Sequence, residues 1–195
     1  MSRPPLAVLV TGAPGAGKST VAQQLARASR AALIDLDSAT EPLVEVVGEL
    51  LGVRDLDDTR LAGATRSARY ATLTALAVAS LSVGTDVVLV APFTRERRDP
   101  AAFAALHDQL AAAGAEVMLV WLRIELDELR SRIGRRAAGR DLVKPDPEWI
   151  DRLDLAAPVV PHLAVDATHA PHEIATVVLS RLGRAPADRR PQGVR

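Results

Sequence analysis

The stretch Gly12-Ala13-Pro14-Gly15-Ala16-Gly17-Lys18-Ser19-Thr20 satisfies the pattern G-x-x-x-x-G-K-[S/T] at every fixed position, a pattern whose chemistry is the cradling of phosphate. Gly12, Gly15 and Gly17 let the backbone turn tightly and aim successive N–H groups at phosphate oxygens. The N-terminus of the helix that must follow adds partial positive charge at the same place. Lys18 can extend to the β- and γ-phosphates as a point charge, and the Ser19 hydroxyl is placed to ligate Mg²⁺. Leu6 to Val10, just before the motif, is the apolar run expected of a buried parallel strand. Val21 to Arg30, just after it, is helical in propensity. Strand, loop and helix in this order separate the motif from a chance Gly-rich turn and predict a nucleoside triphosphate site.

Other chemistry-bearing groups follow apolar runs. Asp35 and Asp37 stand two apart after Ala31-Ala32-Leu33-Ile34. If the chain is still extended there, both carboxylates face one side. One would then serve a metal, and the other would orient and deprotonate an acceptor hydroxyl. The competing reading is that Asp37 or Ser38 caps the next helix. A second constellation is Arg130, Arg132, Arg135, Arg136 and Arg140. On a helix Arg132 and Arg136 share a face with Arg135 beside them, and guanidinium groups so placed can close over a transferring phosphate. Arg95, Arg97 and Arg98 follow the third apolar run, where an arginine could bind an anionic group of an acceptor. Arg66 and Arg69 open a long helix that should border the acceptor pocket, and Lys144 could help to close a lid. His169 and His172 flank Pro171 without a metal-ligand pattern and read as surface residues. Trp121 and Trp149 read as packing.

The elements that must position these groups alternate. After the first helix come a strand over 31–34, a helix over 42–51, a polar loop over 52–59 and a helix over 60–83. A strand at 86–91 leads to a helix at 100–113 opened by Pro100 and closed by Gly114. A strand over 117–122, a helix over 125–138, a strand over 159–165 and a helix over 171–182 complete the pattern, and from Gly183 a loose Pro/Arg-rich tail is expected. Strands alternating with helices predict an α/β fold, a parallel sheet covered on both faces, with ligands at the carboxyl ends of its strands.

Composition narrows the function classes. The 195 residues suit one domain, and with 48% apolar but only 3% aromatic residues its core must be Ala, Val and Leu. A formal net charge of zero gives no general attraction to nucleic acid or anionic membrane. No cysteine is present, so disulfides and thiolate metal sites are excluded, and a reducing cytoplasm is the expected location. The apolar run at 6–10 is too short for a signal peptide and leads straight into the glycine loop. No run approaches the ~20 apolar residues that span a bilayer. Of 24 basic residues only Lys18 and Lys144 are lysines.

These features together resemble the small P-loop metabolite kinases, the group that includes gluconate kinase, shikimate kinase and chloramphenicol phosphotransferase, and most of all the bacterial AAA-domain kinases related to them. The resemblance runs from Leu6 to Leu182 and rests on GAPGAGKST, IDLDS, VVLVAPF with its arginine cluster, VMLVWLR leading to RSRIGRRAAGRD, and the late VDAT. It implies a P-loop NTPase fold over residues 1–183, with a five-stranded parallel sheet, helices on both faces and an Arg-rich lid at about 134–147, followed by a flexible tail at 184–195. It implies ATP and Mg²⁺ as cofactors. Asp37 would be the acceptor-side aspartate, Asp35 would act on Mg²⁺ through water, and Arg98 would be the arginine that gluconate kinases carry after the third strand. Arg132 and Arg136 correspond to lid positions and Asp166 to Thr168 to the loop near adenine. One departure is Ala91, where many relatives end the third strand in aspartate, so metal handling would rest on Ser19, Asp35 and water.

The expected site is therefore Gly12, Ala13, Pro14, Gly15, Ala16, Gly17, Lys18, Ser19, Thr20, Arg132 and Thr168 around nucleotide, with Ser19 and Asp35 on the metal. Asp37, Arg69, Arg98 and Arg140 would meet the acceptor, and Lys18, Asp37, Arg132 and Arg136 would act in catalysis. The expected reaction moves the γ-phosphate of ATP to a hydroxyl of a small metabolite, by a monomer or homodimer with no nucleic-acid or membrane partner. Two alternatives stand beside it: a nucleotide kinase with a phosphate acceptor, and a nucleotide-binding regulatory module with slow hydrolysis. Asp37 argues against the latter.

Overall fold

The computed structural model describes residues 3–53, 55, 58–138 and 147–185, with side chains omitted at 136–138 and 147–148. Five strands form a parallel sheet: β1 (Leu6–Gly12), β2 (Ala32–Asp35), β3 (Val87–Val90), β4 (Glu116–Arg123) and β5 (Leu163–Asp166), in the order β2-β3-β1-β4-β5. The helices are α1 (Lys18–Ser29), α2 (Leu36–Leu51), α3 (Thr59–Ser82), α4 (Pro100–Ala112), α5 (Leu126–Ala138), the short α6 (Pro147–Asp151) and α7 (Pro171–Arg181).

The period-2 alternation of a strand explains how one short apolar run serves two cores. Leu6, Val8 and Val10 of β1 face the side covered by α1 and α7 and join Val21, Leu25, Ile174 and Val178. Ala7 and Leu9 face the other side with Leu73, Ala77 and Leu81 of α3 and Leu106 and Leu110 of α4. Buried on both faces, β1 reads as an unbroken apolar string, as central parallel strands do.

Two elements depart from the expected boundaries, and α6 is one that the sequence pattern does not predict. Helix α2 starts at Leu36 and carries Pro42 in its interior. A proline there supplies no N–H to the carbonyl four residues back. The Asp35 carboxylate, accepting from the Asp37 N–H at 3.0 Å, caps the first turn and sets the helix going before the proline is reached. Strand β5 begins at Leu163, two residues past Pro161, not at Val159. Arg184, expected to open the tail, donates to the Pro4 carbonyl at 2.7 Å. No described helix is long and apolar enough to cross a membrane.

Candidate active site

Chain order reverses at β1, which has β3 on one side and β4 on the other. Such a switch point leaves a crevice beyond the strand's carboxyl end, and the glycine loop fills it. Two glycines there are required by close approach. A Cβ on Gly12 would lie 3.0 Å from the Leu122 carbonyl oxygen, and one on Gly15, at φ 84°, would lie 3.0 Å from Ile133 Cγ1. Helix α5 thus rests its Leu129–Ile133 face on the loop. Gly17, left-handed at φ 95°, is the N-cap of α1, and with no capping side chain the first N–H groups of the helix stay available.

Lys18 Nζ folds back onto the loop, donating to the carbonyls of Gly12 (3.1 Å) and Ala13 (3.0 Å). Burial pulls its pKa down to about 8, opposed by the charges of Asp37 and Asp35 and aided by that of Arg97. Those four groups therefore share one electrostatic neighbourhood. Ser19 and Thr20 are exposed at the start of α1. Ser19 Oγ donates to Asp35 Oδ2 at 3.0 Å, while Asp35 Oδ1 holds the α2 cap. Among the described residues no group of three or more His, Cys, Asp or Glu could hold a cation. A metal at Ser19 and Asp35 would thus draw its remaining ligands from phosphate and water, which suits Mg²⁺. Ala91 is buried and closes β3 without a carboxylate.

Asp37 stands not on an extended strand end but in the first turn of α2. The same-side argument for Asp35 and Asp37 therefore fails, yet both still bear on Lys18. Asp37 Oδ1 accepts from Arg69 Nη2 at 2.5 Å, and Arg69 Nε donates to the buried Thr40 hydroxyl at 2.9 Å. Arg69 thereby joins α3 to α2 and fixes the Asp37 side chain, which remains 77% exposed and open to an acceptor. Beside it on α3, Arg66 lies over the Tyr70 ring at 4.9 Å.

Arg132 bridges three parts of the nucleotide side. Its Nε donates to Glu128 at 2.7 Å, Nη1 to the Ala16 carbonyl at 3.3 Å and Nη2 to the Ala167 carbonyl at 2.8 Å. It ties α5 to the glycine loop and to the turn after β5. In that turn Asp166 Oδ1 accepts from the Thr168 amide (2.9 Å) and hydroxyl (2.6 Å). These bonds, with Arg123, take the Asp166 pKa down to about 2. Arg130 is spent on Asp127 and Asp151, joining α5 to α6. Arg136 beyond its backbone, Arg140, Lys144 and most of the lid expected at 134–147 lie outside the described residues, as do 186–195 of the tail.

After β3 the chain makes a strained turn. Phe93, fully buried, has φ 44°, a left-handed conformation that costs a bulky residue about 1–3 kcal/mol. Its N–H donates to Tyr70 Oη at 3.1 Å and its ring meets the Tyr70 ring edge-on at 6.0 Å. Arg98 uses its guanidinium on Asp154: Nε donates at 2.8 Å, Nη2 also reaches the carboxylate, and Nη1 takes the Ala157 carbonyl at 3.0 Å. The residue that spacing alone did not single out is its neighbour Arg97, 4% exposed and paired with Asp154 through Nη2 at 2.8 Å. Three arginines in four positions gave no means of ranking it.

A parallel sheet in this order, with a glycine phosphate loop at its switch point and a lysine and hydroxyl at the head of α1, defines a P-loop nucleotide-binding protein. The chain belongs to the AAA domain family, which it matches over residues 8–153. No curated protein matches it by sequence. A putative kinase from Chloroflexus aurantiacus J-10-fl is similar at 25% identity and TM-score 0.67, covering 94% of this chain and 98% of that one. A gluconokinase from Sinorhizobium meliloti 1021 shares the fold at 20% identity and TM-score 0.54, covering 93% and 95%. The APS kinase of Mycobacterium tuberculosis, solved with AMPPNP and APS, does so at 20% identity and TM-score 0.59, covering 93% and 99%. Kinases of small molecules are thus among the proteins that share this fold.

Proposed function

We propose that this protein transfers the γ-phosphoryl group of Mg·ATP to a hydroxyl of a small acceptor. The observation that carries the reading is the Ser19–Asp35 hydrogen bond at the end of the glycine loop, with Lys18 preceding Ser19 and Asp37 two residues beyond Asp35. Ser19 Oγ and Asp35 Oδ2 are 3.0 Å apart, and both carboxylates act on Lys18. In this reading the loop amides and Lys18 hold the triphosphate, with Lys18 exchanging its carbonyl partners for phosphate oxygens. Ser19 and Asp35 would hold Mg²⁺, which would neutralise charge on the phosphates. Asp37 accepts the acceptor's proton as its oxygen bonds to the γ-phosphorus. The bond from that phosphorus to the β,γ-bridging oxygen breaks, and ADP leaves. Arg69 keeps Asp37 in place, and Arg132 draws α5 against the loop. The acceptor enters between α2, α3 and the turn after β3. Arg136 and Arg140 remain lid candidates, Thr168 a contact near the base, and the cytoplasm the expected location.

The test is ADP release over a panel of sugars, sugar acids, nucleosides, nucleotides and aminoglycosides. Asp37→Asn should retain Mg·AMPPNP affinity and lose turnover roughly 10²–10⁴-fold, the usual range for a positioned base. Lys18→Ala should weaken nucleotide binding about 10- to 100-fold, the worth of a charged hydrogen bond. Equal turnover by Asp37→Asn and the unaltered protein would remove Asp37 from the mechanism.

A further inference from the structure

Helix α2 is apolar on two sides, and its own domain uses only one of them. Leu36, Thr40, Val44 and Gly48 are buried. Asp37 and Thr40 meet Arg69 of α3, and a Cβ on Gly48 would lie 3.4 Å from Leu61 Cδ2, so α3 runs along that side. Ala39, Leu43, Val46 and Leu50, spaced four, three and four apart, fall on another side of a helix with about 3.6 residues per turn. Ala39 is half-buried, whereas Leu43, Val46 and Leu50 are 66%, 51% and 82% exposed. A helix needs one apolar stripe to hold it to its domain, so the fold leaves this second stripe unexplained. Exposed Val83, Val159 and Val177, by contrast, belong to separate parts of the chain, as scattered surface residues do.

The pattern of the stripe selects its occupant. Alternating steps of four and three make the seam of a paired helix, where side chains of one helix enter holes in the other. No charged residue lies in this seam. A second α2, antiparallel and related by a twofold axis, sets Val46 against Leu43 at the centre and Ala39 against Leu50 at each end. The most exposed leucine then meets the smallest residue of the seam. The seam runs for about 16 Å of helix. It offers a patch of roughly a few hundred Å², the size that marks an interaction site, and this makes the apolar centre of an interface of about 800 Å² per partner. Glu41, Glu45 and Glu49, all exposed and four apart, form a third side. That acidic row repels an anionic bilayer or a nucleic acid, and in the antiparallel pair both rows point away from the partner into water.

We propose that the protein is a homodimer in which α2 of each chain packs antiparallel on α2 of the other through Ala39, Leu43, Val46 and Leu50. The proposal does not rest on phosphotransfer. It touches that reading at one place, because Asp35 caps the same helix and Asp37 lies in its first turn.

Sedimentation and light scattering on the full chain at micromolar concentration should give the mass of two chains. Val46→Glu or Leu50→Glu puts a charge into the seam and should weaken the dimer about 100-fold or more, as at the centre of an interface, leaving the mass of one chain. Circular dichroism and Mg·AMPPNP binding check that each variant is folded. Leu50→Ala, which adds no charge, should weaken the dimer about tenfold and supplies the answer if the glutamate variants do not fold. The chain has no cysteine, so introduced cysteines report the register directly. Under mild oxidation a mixture of Ala39→Cys and Leu50→Cys chains should form a disulfide-linked pair holding one of each, and neither variant alone should link. Any of four results overturns the proposal. The first is a one-chain mass at micromolar concentration, and the second is a two-chain mass undiminished by both glutamate variants. The third is Leu50→Cys linking to itself in preference to Ala39→Cys. The fourth is binding to phosphatidylglycerol vesicles that Leu50→Glu abolishes, which would hand the seam to a bilayer.

Discussion

At the scale of single residues, the site's affinity is governed by a lysine that is charged at a cost. Burial moves Lys18 down to about 8, against the pull of Asp37 and Asp35, whereas in the unfolded chain it titrates near ~10.4. Between those values the unfolded chain holds more protons than the folded one, so this residue's contribution to stability rises with pH there. Nucleotide binding has the opposite sign, because only the ammonium serves a triphosphate. Affinity for Mg·AMPPNP should be flat from pH 7 to about 8, then fall by up to about tenfold per unit as the lysine empties. Calorimetry near pH 8 in buffers of differing ionisation heat should show proton uptake on binding. Lys18→Ala should flatten both responses. A binding curve that tightens above pH 8, or an unaltered profile in the variant, would mean that Lys18 does not meet the phosphates. Arg97 belongs to this scale too. Its residue type was visible in the sequence, but its partner is Asp154, 57 positions away along the chain, which no local pattern gives.

At the scale of elements, the turn after β3 is held by what passes beside it. Asp154, beyond α6, binds Arg97 and Arg98 together, and the Arg98 hydrogen bond first, despite some burial, holds its carboxyl below the usual range. Asp154→Asn should cost about 1–2 kcal/mol, less than a fully buried pair because Asp154 is 39% exposed and screened by water. That corresponds to roughly 2–8 °C in Tm for a chain of this size. The folded pKa being the depressed one, the contribution is present above about pH 4 and is lost as pH falls through the folded value. The difference between variant and unaltered protein should shrink in acid, and equal denaturation midpoints at pH 7 would refute the clamp. Local pattern made most elements legible: the glycine loop, the buried strands, and α4 between Pro100 and Gly114. Misplaced elements were those where a local signal lost to a neighbour. Pro42 reads as a helix start, but the Asp35 cap opens α2 six residues earlier. Val159 reads as strand, but its N–H is taken by the Arg97 carbonyl and pairing begins only past Pro161.

At the scale of the whole molecule, a parallel sheet separates stability from chemistry along the strand axis. Strand carboxyl ends carry Lys18, Asp35, Arg97 and Thr168, while the amino ends are joined by a residue with no part in the site. Asp86, just ahead of β3, accepts the Leu6 N–H on Oδ1 at 2.7 Å and the Ala32 N–H on its backbone carbonyl at 2.8 Å. Its Oδ2 lies 3.5 Å from Arg184 Nη1, beyond α7. One half-buried carboxylate thus fastens the start of β1 and the end of the described chain to the strand between β1 and β2. Asp86→Ala should cost about 1.5–3 kcal/mol, the range for a charge-assisted bond left unmade. It should lower the denaturant midpoint, leave the slope of the transition unchanged, and leave the Kd for Mg·AMPPNP unaltered in the folded protein. Lys18→Ala should do the converse, losing nucleotide affinity with the midpoint held or raised, since it removes a buried charge. If Asp86→Ala weakened nucleotide binding in step with stability, the two edges of the sheet would be coupled. The glycine loop's geometry would then depend on how β1 is anchored at its far end.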